Sequence, residues 1–215
     1  MKLYGHPFSS YTWKARIALL AARLEHEFVQ LGPDQPAERN AVVAGAGPLG
    51  RFPVLDDEGR LVFEASCIVE HLAIHYPQAR FLIPEDETAA LAIRKLDRIF
   101  DLYVMAEAQA VVNEYLRAPA APDTARVDEA KEKLSRIYGW LEQHLPERGH
   151  GPLTLADCAA APSLFYADWI EEIGADRSHL AAYRAWLLAQ NEVAFCVDEA
   201  RPWRSWFPPG APDRD

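Results

Sequence analysis

The chain has 215 residues and a mass of 24.1 kDa, which is enough for one or two domains with a buried core. Its net charge of −10 argues against a surface that follows nucleic-acid phosphates, and its apolar fraction of 50% is ordinary for a soluble protein. No apolar run approaches the ~20 residues that a membrane span needs. We therefore expect a soluble protein that binds neither nucleic acid nor a membrane.

The cysteines indicate a reducing compartment. Cys67, Cys158 and Cys196 are an odd number, are widely spaced, and each has apolar neighbours. This favours reduced thiols over a disulfide framework. No signal peptide precedes the first strand, so a cytoplasmic location is expected. There is no Cys-x-x-Cys pair, and we predict no metal site.

The first twenty residues predict a strand, a tight loop and a helix. The strand is expected at Lys2–Gly5 and the loop at residues 6–11. One buried face of the helix is marked by apolar residues spaced four, three and four apart: Trp13, Ile17, Leu20 and Leu24. Ser9 and Ser10 stand where a helix N-cap belongs. Such a loop aims backbone N–H groups and the positive end of a helix dipole at one point, which stabilises an anion.

Residues 9–19 read Ser-Ser-Tyr-Thr-Trp-Lys-Ala-Arg-Ile-Ala-Leu. They resemble the Ser-Ser-x-Ser-Trp-x-x-Arg-Ile-Ala-Leu loop of cytosolic glutathione transferases, most closely the zeta-like and related bacterial classes. The resemblance continues through most of the chain. It implies glutathione as the co-substrate and a two-domain glutathione transferase fold. A thioredoxin-like α/β domain (residues 1–77) and a linker (78–85) would precede an all-helical bundle domain (86–215).

Residues 47–55, Gly-Pro-Leu-Gly-Arg-Phe-Pro-Val-Leu, form the next informative segment. By itself, Pro53 before a short strand predicts a plain loop with a trans peptide bond, since cis occurs in only ~5–6% of X–Pro bonds. The segment resembles the family's Asn-Pro-x-Gly-Lys-Val-Pro-x-Leu, whose proline is cis. The resemblance implies that the backbone of Phe52 binds the cysteinyl part of glutathione. Gly47 and Phe52 depart from the family pattern.

A hairpin turn is predicted at residues 57–60, followed by a helix that begins near Glu64. Residues 64–68, Glu-Ala-Ser-Cys-Ile, resemble the family's Glu/Gln-Ser-x-Ala-Ile. In that motif the acid contacts the α-amino group of the peptide, and the serine holds the γ-glutamyl carboxylate. Glu64 matches the acid, but Ala65 occupies the serine position and Ser66 follows it. Backbone N–H groups or a rotated Ser66 could hold the carboxylate; alternatively, Ser66 is only a helix N-cap.

The second half of the chain predicts helices alone. They are expected at residues 85–116, 127–145, 177–190 and 192–200. Thr154 and Asp157 match a capping box that opens a further helix, with Asp157 reaching back to the N–H of Thr154. The prolines of the tail flank aromatic residues, which either cover the helical domain or close the acceptor pocket: Trp203, Trp206 and Phe207.

The resemblance also implies a mechanism. A free thiol has a pKa of about 8.5, and the thiolate is the nucleophile. Ser9 is the first choice for the hydroxyl that stabilises the thiolate and Ser10 the second, whereas Tyr11 could donate its phenol or line the pocket. Tyr103 faces the same cleft by family analogy, or it packs in the core. The expected reaction is thiolate attack on a small hydrophobic electrophile by a homodimeric enzyme.

Two other functions stay open. One is a glutathione-dependent isomerase or dehalogenase, although Tyr11 in place of the family's Cys weakens a maleylacetoacetate isomerase assignment. The other is a non-catalytic binding or regulatory protein with this fold, which Ala65 favours.

Overall fold

A computed structural model describes residues 1–146 and 151–215. It divides into two compact units. Unit 1 comprises Met1–Arg94 and Pro152–Cys158, and unit 2 comprises the described residues of Lys95–Gly151 and Ala159–Asp215.

Unit 1 contains a four-stranded sheet with strand order β2-β1-β3-β4. Its strands are β1 (Lys2–Gly5), β2 (Glu27–Gln30), β3 (Val54–Asp57) and β4 (Arg60–Phe63). β1 pairs in parallel with β2 and antiparallel with β3, and β3 pairs antiparallel with β4. The helices of this unit include α1 (Ser10–Ala21), α2 (Ala37–Ala46) and α3 (Ala65–His75). The predicted α/β fold class of the N-terminal region is confirmed.

The β3–β4 hairpin forms where it was predicted. Glu58 and Gly59 occupy the turn with φ of 54° and 88°, a conformation that glycine adopts without strain. The Gly59 N–H donates to Asp56 Oδ1 at 2.7 Å and closes the turn.

Helix α1 is more deeply buried than a single apolar stripe implies. Residues 12–19 are all buried, including the charged Lys14 and Arg16, whereas Leu20 is only half-buried. The Arg16 guanidinium lies over the Phe28 ring, 4.0 Å from its centroid. The expectation of one buried face was therefore incomplete. The spacing of the apolar residues could not show that the polar residues between them are buried as well.

The helix predicted at residues 85–116 has three parts. They are α4 (Glu87–Ile99), a π-helical segment (Phe100–Val104) and α5 (Met105–Arg117). The predicted linker, residues 78–85, overlaps a 3₁₀ helix (Pro77–Leu82) in which Ala79 and Leu82 are fully buried. The bounds of the two predicted domains stay predictions.

The other helices are α6 (Thr124–His144), α7 (Leu155–Asp168), α8 (Ser178–Leu188) and α9 (Asn191–Ala200), followed by a 3₁₀ helix (Arg201–Trp206). Phe207 is buried and lies 5.1 Å from the Trp169 ring and 6.3 Å from the Tyr166 ring, centroid to centroid. A covering role is thus confirmed for Phe207. The mostly helical C-terminal part agrees with the predicted fold class.

Candidate functional site

The strand register brings three separated segments to one end of the sheet. Tyr4 pairs with Val54, and Val54 pairs with Phe63. The loop after β1, the residues just before β3 and the residue just after β4 therefore emerge at the same end. These segments contain Ser9, Phe52 and Glu64, which the sequence analysis singled out separately.

The loop between β1 and α1 is fixed by its own hydrogen bonds. The His6 N–H donates to Thr12 Oγ1 at 3.3 Å, and the Ser9 N–H donates to the His6 carbonyl at 3.0 Å. A Cβ on Gly5 would lie 2.5 Å from Thr12 Cγ2, so a larger residue at Gly5 would displace the loop. The start of α1 is thus held close to the end of β1.

The His6 ring is part of this loop. It is buried, and burial lowers the pKa of His6 below its ordinary value of 6.5. The Phe8 N–H donates to His6 Nδ1 at 3.2 Å, which requires an unprotonated Nδ1. Both observations indicate a neutral imidazole at neutral pH.

Ser9 is the N-cap of α1. Its Oγ accepts from the Thr12 N–H at 3.3 Å. A hydroxyl has two acceptor lone pairs and one donor proton, so this bond leaves the Ser9 proton available for an anion at the mouth of the helix. Capping and anion stabilisation are therefore compatible at Ser9. Ser10 is the first residue of α1 and is half-buried, and Tyr11 is exposed.

The Phe52–Pro53 peptide bond is cis. The expectation from the resemblance is confirmed, and the trans bond that the residues alone favoured is wrong. Phe52 is exposed and lies immediately before β3. Its backbone therefore lies at the end of the sheet near which the β1–α1 loop emerges.

The start of α3 completes the candidate site. Glu64 precedes the helix with φ 68° and ψ 117°, and the first intrahelical bond runs from the Ile68 N–H to the Glu64 carbonyl at 2.9 Å. Ala65 is buried and Ser66 is half-buried. The N-cap alternative for Ser66 is wrong, because the helix begins at Ala65 and Ser66 is its second residue.

Lys14 is a residue that the sequence analysis did not single out. Its side chain is 1% exposed, and Nζ donates to Ser66 Oγ at 2.7 Å. A signal was present in the sequence: Lys14 stands three residues before Ile17 and four before Ala18, which places it on their face of α1. Lys14 links α1 to the start of α3.

Tyr103 lies in the π-helical segment of unit 2 and is 57% exposed. The core-packing alternative for Tyr103 is therefore wrong. Its predicted place beside the substrate stays a prediction.

A second polar cluster lies at the opposite end of β3. His71 Nε2 is 2.8 Å from Asp57 Oδ2, and the Tyr76 hydroxyl donates to Asp57 Oδ1 at 2.6 Å. Burial by itself would raise the pKa of Asp57, but the hydrogen bonds from Tyr76 and His71 lower it below 3.8. The bond to Asp57 raises the pKa of Tyr76 to about 12. This cluster ties the hairpin to α3 and is remote from Ser9.

His71 and His75 have the four-residue spacing of some metal-ligand pairs, which the sequence analysis overlooked. Among residues 1–146 and 151–215, no three His, Cys, Asp or Glu side chains converge as a metal site would require.

In the same part of the chain, none of the helices has the length and apolar character to cross a bilayer.

Comparisons with known proteins agree with this geometry. A family model described as the glutathione S-transferase N-terminal domain matches residues 3–80, and one described as the C-terminal domain matches residues 124–189. The uncharacterized GST-like protein YibF of Escherichia coli is 30% identical over 146 residues, which are 67% of this chain and 70% of YibF. The maleylacetoacetate isomerase of Pseudomonas aeruginosa is 35% identical over 85 residues, 38% of this chain and 40% of that enzyme.

A solved structure is also similar. The crystal structure of a glutathione S-transferase from Methylobacillus flagellatus KT with GSH bound has a TM-score of 0.78 and 27% sequence identity. The match covers 91% of this chain and 98% of that one.

Proposed function

The chain belongs to the glutathione S-transferase family, and we propose that it activates the thiol of glutathione with the Ser9 hydroxyl for attack on small hydrophobic electrophiles. The observation that carries this proposal is the position of Ser9. It caps α1 with its oxygen as the acceptor, at the end of the sheet where Phe52 and Glu64 also emerge. Its proton can therefore be donated to a sulfur anion.

One hydroxyl can supply nearly all of the free energy that is needed to stabilise the thiolate. A decrease of about two in the pKa of the thiol requires about 2.7 kcal/mol of selective thiolate stabilisation. A hydrogen bond to a charged group contributes about 1.5–3 kcal/mol, and the α1 dipole adds about 0.3–1 kcal/mol. Neither a general base nor a metal is needed. Ser10 and Tyr11 are the alternative donors, because they follow Ser9 directly in the chain.

The other residues of the candidate site would bind the remaining parts of glutathione. The Phe52 backbone before Pro53 would pair with the cysteinyl part, and the Glu64 carboxylate would bind the α-amino group. The first N–H groups of α3, at Ala65 and Ser66, precede the first intrahelical bond and would face the γ-glutamyl carboxylate. These assignments follow the matching positions of the family motif.

The chemical step balances without another reactant. The thiolate sulfur forms a bond to the electrophilic carbon. The proton of the thiol passes to solvent when the thiolate forms. Either a leaving group departs from the attacked carbon with its bonding electrons, or the electrons of a double bond move to the neighbouring atom of the electrophile, which then takes a proton from water. Tyr103 would line the acceptor site. A cytoplasmic homodimer with a detoxifying role completes the proposal, and it is supported by family resemblance.

A glutathione-dependent isomerase is the second candidate, because the maleylacetoacetate isomerase of P. aeruginosa is 35% identical over its matched residues. Product analysis separates the two functions. A cis-enol dicarboxylate that is converted to its trans isomer supports the isomerase, whereas a stable thioether from an aryl halide supports the transferase.

The Ser9→Ala variant tests the catalytic assignment. Thiolate ultraviolet absorbance is titrated against pH for glutathione bound to the full chain, to Ser9→Ala and to Ser10→Ala. We expect Ser9→Ala to bind glutathione with a thiol pKa closer to about 8.5, because the donor to the sulfur is lost. The neighbouring Ser10→Ala variant is the matched control and should leave the thiol pKa unchanged.

Other outcomes would reject specific parts of the proposal. An unchanged thiol pKa in Ser9→Ala would reject Ser9 as the donor, and a change in Ser10→Ala would move the role there. Binding without any thiol activation in the parent protein would favour a non-catalytic glutathione-binding protein.

A further inference from the structure

We propose that residues 208–215 form an ionic latch, which is closed on unit 2 at low ionic strength and is released by salt. The latch consists of the eight residues that follow Phe207, with the sequence Pro-Pro-Gly-Ala-Pro-Asp-Arg-Asp. All the contacts that hold it closed lie within unit 2, so the proposal does not depend on glutathione or on the Ser9 site.

A tight turn after Phe207 reverses the direction of the chain. Phe207 is buried, and its carbonyl accepts from the Gly210 N–H at 2.9 Å. Gly210 has φ 92°, a conformation that glycine adopts without strain. A groove of about 240 Å³ is lined by residues on both sides of this turn, including Arg204 and Pro212. The latch therefore starts at a buried anchor and lies only loosely against the 3₁₀ helix.

Two arginines of the 3₁₀ helix bind the far end of the latch. Side chains three residues apart eclipse one another in a 3₁₀ helix, which places Arg201 and Arg204 on the same face. Arg204 Nη1 and Arg201 Nη1 both donate to Asp215 Oδ1, at 2.6 and 3.2 Å. Arg204 Nη2 also donates to the carbonyls of Pro212 and Arg214. Both guanidinium groups therefore converge on one carboxylate of the latch.

A second connection joins the latch to the end of α7. Arg214 Nη2 donates to the Asp168 carbonyl at 2.7 Å, and Arg214 Nε donates to Asp168 Oδ2 at 3.3 Å. The Arg204 guanidinium lies over the Trp169 ring, 4.7 Å from its centroid. The closed latch therefore holds Arg204 in place above the residue that follows α7.

The latch is held by charge and hardly by apolar burial. The structure describes all of residues 208–215, and none of their side chains is buried. The side chains of Arg201 and Asp215 are 49% and 32% exposed, and ion pairs at such positions are individually weak and are screened by salt. A segment with few apolar contacts opens at a much lower free energy than the whole protein. Salt should therefore release the latch while α7 stays folded.

The ¹⁵N–¹H heteronuclear NOE of the amides of residues 211 and 213–215 tests the proposal, because it distinguishes ordered from flexible backbone. It is measured in the full chain while NaCl is raised from about 10 mM to about 1 M, which shortens the Debye length from about 30 to about 3 Å. We expect values typical of ordered backbone at the lowest salt concentration and a loss of the NOE at the highest. The amides of α7 should keep their values throughout.

Asp215→Asn and Asp213→Asn are a matched pair of variants. Each removes one negative charge from the latch, but the arginines donate to Asp215, whereas Asp213 is exposed and takes part in none of these bonds. We expect Asp215→Asn to be released at a lower salt concentration than the parent protein. Asp213→Asn should be released at the same concentration as the parent.

Gly210→Ala tests the turn while every charge is kept. A Cβ at this position would meet no atom within 4 Å, so the cost of the substitution comes only from the positive φ. We expect this variant also to be released at a lower salt concentration, because the turn that brings Asp215 to the arginines is strained.

Three results would overturn the proposal. One is a parent protein in which residues 211 and 213–215 are flexible at every salt concentration, or ordered at every one. Another is release of Asp215→Asn and Asp213→Asn at the same concentration. The third is a loss of the NOE in α7 together with that of the latch, which would mean that the unit unfolds as a whole.

Discussion

Individual residues in the β1–α1 loop combine a structural and a chemical task. Ser9 accepts one hydrogen bond to cap α1 and retains a proton for a ligand. His6 accepts from the Phe8 N–H through an unprotonated ring nitrogen, and burial lowers its pKa. The β1–α1 loop therefore contains a histidine that is neutral at neutral pH and accepts a hydrogen bond from the loop backbone.

The His6→Asn variant tests whether His6 takes up a proton when the protein unfolds. The folded pKa of His6 lies below the unfolded value of about 6.5, so the unfolded state binds more protons once the pH falls below about 6.5. The stability contribution of His6 is fully present above that pH and is lost as the pH falls toward the folded pKa. We expect the melting temperature of the parent protein to fall between about pH 7 and pH 5.5, and that of His6→Asn to fall less. Equal slopes would show that His6 does not titrate on unfolding.

At the scale of elements, a carboxylate caps the N-terminus of each of two helices. One carboxylate is close in sequence to the helix start, and the other comes from a different helix. At the start of α7, the N–H and the hydroxyl of Thr154 donate to Asp157 Oδ2 at 2.7 and 2.6 Å, which confirms the predicted capping box. At the start of α8, the N–H groups of His179 and Leu180 donate to the Glu142 carboxylate at 3.0 and 2.8 Å. Glu142 belongs to α6, so this second cap could not be predicted from local sequence.

Asp157→Ala should destabilise the protein without changing its chemistry. The carboxylate is fully buried, and its removal leaves the Thr154 N–H and hydroxyl without their acceptor, at a cost of about 1–3 kcal/mol. In a protein of this size, each kcal/mol corresponds to about 2–4 °C in melting temperature. Differential scanning calorimetry measures the shift, and glutathione affinity at a temperature where the variant is folded should match the parent. An unchanged melting temperature would contradict the role of the box.

At the scale of the whole molecule, acid should remove carboxylate contributions from both units. Burial would raise the pKa of Glu142, but the backbone hydrogen bonds from Leu180 and His179 lower it below its ordinary value of 4.5. The pKa of Asp57 is likewise below 3.8, through the bonds from Tyr76 and His71. For a lowered carboxyl pKa, the unfolded state takes up protons first as the pH falls.

We therefore expect a second loss of stability below about pH 4.5, separate from that of His6. The contributions of both carboxylates are fully present above the unfolded pKa values and disappear as the pH falls through the folded ones. Urea unfolding at a series of pH values measures this loss. Glu142→Gln and Asp57→Asn should each reduce the dependence on pH below about 4.5, whereas an identical dependence would exclude these residues as its source.

The sequence by itself determined the features that depend on neighbouring residues. The strand, loop and helix of the first twenty residues, the β3–β4 turn and the Thr154–Asp157 box all follow from local periodicity and local hydrogen bonds. The resemblance of residues 9–19 added the family and the order of the elements. The resemblance of residues 47–55 predicted the cis bond before Pro53, which local residue preferences had assigned as trans.

Only the tertiary structure decided which distant residues meet. Ser66 is 52 residues from Lys14, and Glu142 is 37 residues from His179. Such pairs arise because helices pack on one another or on a sheet, and that packing covers polar positions that a single helix would leave in water. For this reason, the sequence did not distinguish Lys14 from a solvent-exposed lysine. Its burial and its bond to Ser66 became evident only in the fold.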